Sequence, residues 1–382
     1  MSWYNSNWAY RVQVTVLHAK VTADQSTFPV FLDLSLLPAN FHTNCNQTDA
    51  RDIRITTSDG VTEVPREIVY YTAASDTGEV HFKGDLLTAS DVVFYVYYGN
   101  PSASDYATNA TFGAQNVWNS NYVLVHHGGS PSSIGLTDST ANANNISNSG
   151  LTAGTGQLGG AIVGNGTNES GSIADQASQK SLTALSVELW TKVTSFSPNT
   201  DGVMWVTKNV SNSSATDPYQ AFVFFTDATG VVYFRVTNGV TAGSYAAQTV
   251  QSAAGYFTTG TWTYMAATYD ATTLRLYKNG TVNGTTVTAS GINTGTTVTT
   301  AMTIGNFGPA GFNYFLNGSM DEIRMSKVAR SGTWISTQYN NQSSASTFFS
   351  VAAFEPFALP AQNNNYTRVR TADGVSSSGS VI

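Results

Sequence analysis

The chain has 382 residues, a formal net charge of −7 and a pI of about 5.1, with only 11% charged and 12% aromatic residues. Average globular proteins carry about 25% charged residues, so the polarity here comes from Ser, Thr, Asn and Gly, which favour strands, turns and neutral hydrogen-bonding surfaces. The acidic balance argues against a nucleic-acid partner, no apolar run approaches the ~20 residues that span a bilayer, and the single Cys45 excludes an intrachain disulfide and reads as an inert thiol.

The opening, MSWYNSNWAYRVQVTV, places Trp8, Tyr10, Val12, Val14 and Val16 alternately with Ala9, Arg11, Gln13 and Thr15. That is the period of a half-buried strand. A secretory leader needs a positive start and an apolar run of roughly 7–15 residues. The first positive charge here is Arg11, so Met1 is expected to begin the mature chain. Further strands are read at Asp52–Thr56 (DIRIT), EIVYY, VHF and VVFYVYY. The last, Val92–Tyr98, is apolar on both faces and so is expected at a sheet centre, ending at Gly99-Asn100-Pro101.

A second strand-rich region opens at VWNSNYVLVHH. After a loose Gly/Ser/Asn/Thr tract from Ser130 to Asn168 come LSVELW, GVMWV, AFVFF, VVYFRV, TWTYMAATYD, TLRLYKNG, AMTIGN and GSMDEIRMS. Spacings of about 10–14 residues fit an antiparallel sandwich. Asn279-Gly280 between two such segments predicts a type I′ hairpin. Trp334, Ile335, Gln338 and Tyr339 share one helical face, and the tail from Pro356 reads as an extended arm.

The segments from TWTYMAATYD through LRLYKNG, MTIGN and GSMDEIRMSKVARS to WISTQYNNQ resemble, in that order, the laminin-G-like, concanavalin A-like jelly-roll superfamily. NWAYRVQVTV, FPVFLDLS, DIRITTSDG and YVYYGNPSASDY resemble a domain of unknown function that precedes such modules in prokaryotic and viral surface proteins. The expected fold is therefore all-β: two antiparallel β-sandwiches, the second a concanavalin A-like jelly roll. The boundaries read as 1–113, 114–355 and an extended C-terminal arm over 356–382. The resemblance implies glycan or protein binding, with calcium in some members, and no single ligand.

The chemistry is sparse. Gly154-Thr-Gly156-Gln-Leu-Gly159 spells a dinucleotide fingerprint but opens no helix, so it reads as a glycine loop. None of the glutamates has the same-strand arrangement typical of concanavalin-like hydrolases, whose chemistry needs two positioned carboxylates. Glu188 reads as a solvated strand residue, and His126-His127 point to opposite faces and make a poor joint metal site. For calcium, Asn168 and Glu169 offer loop oxygens, and Asp321 matches the family's acidic position. For a sugar, Tyr219, Phe307, Phe312 and Tyr314 offer rings in turn-rich segments.

These readings favour a non-catalytic surface protein: a virion decoration, fibre or tail component, at the virion surface or extracellular. Its jelly roll would bind glycans or proteins, and the chain would dock on other copies or particle proteins through the arm or a sheet edge. A cell-surface glycan-binding adhesin is the first alternative, and a polysaccharide-active enzyme the second.

Overall fold

The structure is a computed structural model that describes residues 2–45, 47–196, 202–210, 220–238, 246–307 and 314–358. Its strands, in chain order, begin with β1 (Tyr10–Val16), β2 (Gln25–Asp33), β3 (Arg54–Thr57), β4 (Arg66–Thr72), β5 (Thr77–Leu86), β6 (Val92–Tyr98) and β7 (Tyr122–His126). Next are β8 (Gly129–Ser130), β9 (Ser133–Ile134), β10 (Ile146–Ser149), β11 (Thr152–Thr155), β12 (Gly160–Asn165) and β13 (Ser170–Ile173). Then come β14 (Leu185–Val193), β15 (Met204–Asn209), β16 (Gln220–Thr226), β17 (Val232–Asn238), β18 (Ala246–Gln251), β19 (Thr263–Tyr269) and β20 (Thr273–Lys278). The last are β21 (Thr281–Val282), β22 (Val287–Thr288), β23 (Met302–Ile304), β24 (Asn317–Ser326) and β25 (Phe349–Pro356). The helices are α1 (Ala39–Asn44), α2 (Gly332–Ser343) and α3 (Ala345–Phe348).

Among the described residues, four larger antiparallel sheets form two sandwiches, and β8 pairs with β9 apart from them. The far sheet has the order β25-β1-β6-β3 and the near sheet β2-β5-β4. Together they close the first sandwich over Val12, Val14, Val16, Val30, Ile55, Val80, Phe82 and Val96. The inner sheet runs β11-β12-β24-β14-β19-β20-β21, and the outer sheet β10-β13-β23-β15-β16-β17-β18. Leu185, Val187, Leu189, Trp205, Phe222, Phe224, Phe234, Met265 and Ile323 fill the second sandwich between them. As its two apolar faces predict, β6 is an interior strand. Pro29 sits on β2, an edge of the near sheet, where a missing N–H is tolerated. Asn279 and Gly280 both take positive φ in a two-residue turn joining β20 and β21.

The aromatic opening caps the exposed side of the far sheet. Trp8 packs with Tyr95 and Tyr97, and Arg11 lies 4.2 Å over the Tyr95 ring and 4.8 Å over Trp3. The other end of the chain returns to the same sheet. Residues 349–355, read from the sequence as part of the second sandwich, form β25 and pair with β1 from Val16↔Phe349 to Tyr10↔Pro356. Beyond it the Phe357 N–H donates to the Ala9 carbonyl at 2.7 Å; most of the expected arm, 359–382, lies outside the described residues.

The two sandwiches share a buried interface. On β5, Val80 and Phe82 face the first core, while Glu79 and His81 face the inner sheet; all four are at most 1% exposed. Helix α2 seals one side. Trp334 lies 4.9 Å from Phe28, and Asn341 accepts the Phe31 N–H at 2.7 Å and donates to the Phe31 carbonyl at 3.0 Å. The edge of β2 is thereby closed by a side-chain amide.

Candidate functional site

The face of the outer sheet that points away from the core carries a cross-strand aromatic row. Core residues Phe222, Phe224, Phe234 and Val250 alternate with Val223, Phe225, Tyr233, Arg235, Thr249 and Gln251, which point the other way. The register places Met204, Phe225, Tyr233 and Gln251 side by side across β15 to β18. Phe225 and Tyr233 stack at 5.1 Å with 20° between planes, and the Arg235 guanidinium sits 5.5 Å from the Phe225 centroid. Arg235 Nε donates to Thr249 Oγ1 at 3.1 Å, and the Tyr233 hydroxyl donates to Asp227 at 2.9 Å, which fixes both side chains.

Two of the rings expected from the sequence join this patch. Tyr314 is half-buried and makes an edge contact with Phe307 at 6.0 Å. Phe307, 2% exposed, packs beneath it with Met204 and Val223. Stacking on a ligand would thus fall to Tyr314, Phe225 and Tyr233, with Phe307 as their support. Tyr219 and Phe312 lie outside the described residues. Sequence reading missed Phe225 and Tyr233, although the alternation in AFVFF and VVYFRV carries the signal: the rings at every second position face away from the core.

The three residues expected to hold calcium are not brought together. Glu169 and Asn168 close the turn between β12 and β13 on itself: Glu169 accepts the Asn165 N–H at 2.7 Å, and Asn168 accepts from the Asn165 amide at 3.1 Å. Asn165 pairs with Asn317, so Asp321 lies further along β24 by about 13 Å at 3.3 Å per residue. It is fully buried at the interface, where it accepts the Leu158 N–H at 2.8 Å. Leu158 belongs to the G-x-G-x-x-G stretch, which forms the hairpin between β11 and β12 and opens no helix. Gly159, with φ +49°, presses on Tyr70 and Glu79 so closely that a Cβ would meet both within 2.5 Å.

Several acids are buried. Glu188, read as a solvated residue, is 2% exposed and accepts the Tyr264 hydroxyl at 2.6 Å. Glu79, His81, His127 and Glu322 converge in the interface, all buried. Burial lifts the Glu79 carboxyl to about 8, with the Glu322 charge adding to it. Burial drives the His81 imidazole well below its ordinary value. Burial also opposes charge on His127, but Glu322 and Glu67 outweigh it and raise that ring. Burial raises Asp321 as well, reinforced by Glu322 and Glu79. Burial acts against the Glu322 carboxylate too, yet Arg324, His127 and His81 hold it well below the usual range. His126, on the opposite side of β7 as its alternation predicts, contacts the Asn144 carbonyl at 3.0 Å and takes no part.

Against known families, one finding is specific. Residues 165–336 match the concanavalin A-like lectin/glucanases superfamily. The match to this superfamily spans β13 to β24, the outer-sheet patch and the start of α2. Solved structures similar to the chain include the binding domain of Paraclostridial Mosquitocidal Protein 1, at 14% identity and a TM-score of 0.43, covering 57% of this chain and 52% of that one. The receptor-binding domain of a botulinum neurotoxin C/D mosaic serotype aligns at 10% identity and a TM-score of 0.43, covering 59% and 52%. Domain 4 of AbnA, an extracellular arabinanase from Geobacillus stearothermophilus solved with arabinotriose, aligns at 17% and 0.40, covering 58% and 98%. The chain spans about half the length of the two toxin domains. No curated protein matches it significantly.

Proposed function

We propose that the protein is a non-catalytic binding protein whose concanavalin A-like domain holds a neutral glycan on the outer sheet. The observation that carries this reading is the row Phe225–Tyr233 with Tyr314 beside it, flanked by Thr249, Gln251 and the fixed Arg235. Sugars bind by laying apolar faces on rings while their hydroxyls meet neutral donors and acceptors. The location of the acids supports binding over hydrolysis. Glu79, Glu188, Asp321 and Glu322 are at most 2% exposed and engaged at the interface, away from the outer sheet. A glycosidase needs two carboxylates that reach the scissile bond.

A glycan panel probed with the full chain tests this. Binding to at least one neutral glycan is expected, falling about tenfold in Tyr233→Ala or Tyr314→Ala, the loss of one stacking contact of about 1.4 kcal/mol. A blank panel, or unchanged binding in both variants, overturns it. Release of reducing ends from polysaccharide would replace it with the enzymatic alternative.

The same reading sets the chain on the outside of a particle or cell, as a decoration, fibre or tail component that meets its neighbours through β25 and the residues after it. The support is local: β25 is the edge of the far sheet, and Phe354 on it is 41% exposed. Among the described residues, no helix is long and apolar enough to cross a membrane.

A further inference from the structure

We propose that Glu79, His81, His127 and Glu322 form a structural zinc site that ties the first sandwich to the concanavalin A-like domain. The four ligands come from both bodies: Glu79 and His81 from β5 of the near sheet, His127 from the residue that follows β7 and Glu322 from β24 of the inner sheet. Their ligand atoms all lie within 4.8 Å of one another. His81 Nε2 is 2.9 Å from Glu79 Oε1 and 3.7 Å from Glu322 Oε1, while His127 Nδ1 is 3.4 Å from Glu79 Oε1 and in direct contact with Glu322. Metal–ligand bonds of about 2.0–2.1 Å set tetrahedral ligand–ligand edges of about 3.3 Å, so these separations bracket what one ion would impose.

The donor set names the ion. Two imidazoles with two carboxylates suit zinc, which accepts both nitrogen and oxygen ligands; calcium and magnesium prefer oxygen alone. Neutral imidazoles with two carboxylates also balance a divalent charge. Glu67, Glu79, Glu188, Asp321 and Glu322 are all buried, and the Arg324 guanidinium pairs with Glu322. Glu79 Oε2 and Asp321 Oδ1 receive no hydrogen bond among the described residues.

Two further features are those of a built site. First, β24 carries an extra residue opposite Glu188–Trp190, and Glu322 takes φ +52° there. Met320 and Ile323 still face the core of the second sandwich, so the bulge turns both Asp321 and Glu322 toward the interface. Such a position favours glycine, and a glutamate in it signals that the side chain is what the position serves. Second, two of the ligands are themselves held. His127 Nε2 lies 3.4 Å from Glu67, whose oxygens accept from Trp118 Nε1 and Ser139 Oγ, each at 2.6 Å. Glu322 Oε2 accepts from Arg324 and, at 2.8 Å, from Gln342 Nε2. Carboxylates and amides that orient metal ligands from behind are the usual outer shell of zinc sites. With four protein ligands in a buried setting, the site is closed, so its role is to hold the fold together.

The test uses the full chain produced in zinc-supplemented medium. Elemental analysis by mass spectrometry should find a single zinc per chain. Stripping with phenanthroline should lower the melting temperature, and cobalt loading of the stripped protein should give the intense visible bands of tetrahedral cobalt. His81→Gln and His127→Gln should each cut bound zinc at least tenfold. If neither variant folds, the cobalt spectrum and the chelator shift of the wild type decide. Less than a tenth of a metal ion per chain after incubation with zinc, together with a melting curve that chelator does not move, overturns the proposal and leaves a proton-balanced network. Zinc retained in both His variants overturns the ligand assignment.

Discussion

Asp270 shows how a single side chain fixes a turn in this charge-poor chain. It follows β19, and its Oδ1 accepts the N–H groups of Thr272 and Thr273 at 3.1 and 2.8 Å, while Oδ2 meets Arg275 Nη1 at 2.5 Å. Partial burial opposes ionisation, but Arg275 and the Thr272 donors outweigh it and hold the carboxyl at about 2. The folded value is thus below the unfolded value of about 3.9, so the stabilisation is fully present above that value and is lost as pH falls through about 2. Both side chains are about a third exposed, which screens the pair. We expect Asp270→Asn to cost about 1 kcal/mol near neutral pH and almost nothing near pH 2. Urea melts of both proteins at the two pH values check this; a gap that stays constant with pH would place the effect elsewhere. The two strands that this turn joins were legible as TWTYMAATYD and TLRLYKNG, because alternation is written in neighbouring residues. The role of Glu322 was not, because a bulge depends on what the facing strand does.

Among the elements, α3 and β25 have the least local logic. Phe348 and Phe349, near the end of the described chain, are 0% and 2% exposed inside the core built by β1, β2, β5 and β6. Sequence reading assigned 349–355 to the second sandwich because the strand follows the segments that resemble it. Alternation says that a strand has an apolar face, and it does not say which sheet receives it. β6, by contrast, was placed correctly, since seven apolar residues in a row leave no face for water. The packing of Phe348 makes a directional prediction. Phe348→Ala should cost about 3–5 kcal/mol as a core cavity. In hydrogen exchange, peptides from β1, β6 and β25 should lose protection at least as much as those from β16 and β17. Loss confined to the second sandwich would contradict the pairing of β25 with β1.

At the scale of the whole molecule, the question is whether two sandwiches joined in this way unfold as one. The apolar residues around the first core run on into the interface: Trp118, Leu158, Trp190, Tyr264, Tyr277, Trp334 and Ile335 are contiguous with Val80 and Phe82. Polar groups there are paired across the boundary. Trp118 donates to Glu67 and Asn341 closes the edge of β2, while within the second body Trp190 donates to Gln342 at 2.9 Å, beside Glu322. Separating the bodies would expose that apolar face and strand those buried groups, a cost that pairs too many partners to be met by water without loss of structure. None of this was visible in the sequence. Glu79, His81 and Glu188 alternate with apolar residues as solvent-facing positions do, and a period of two distinguishes the faces of a strand without saying what covers the second. We therefore expect differential scanning calorimetry of the full chain to give one transition, with calorimetric and van't Hoff enthalpies in agreement. Asn341→Ala, which leaves a buried N–H and carbonyl of Phe31 unpaired, should lower that single transition. Two resolved transitions in the wild type, with only the first moved by the substitution, would show bodies that merely touch.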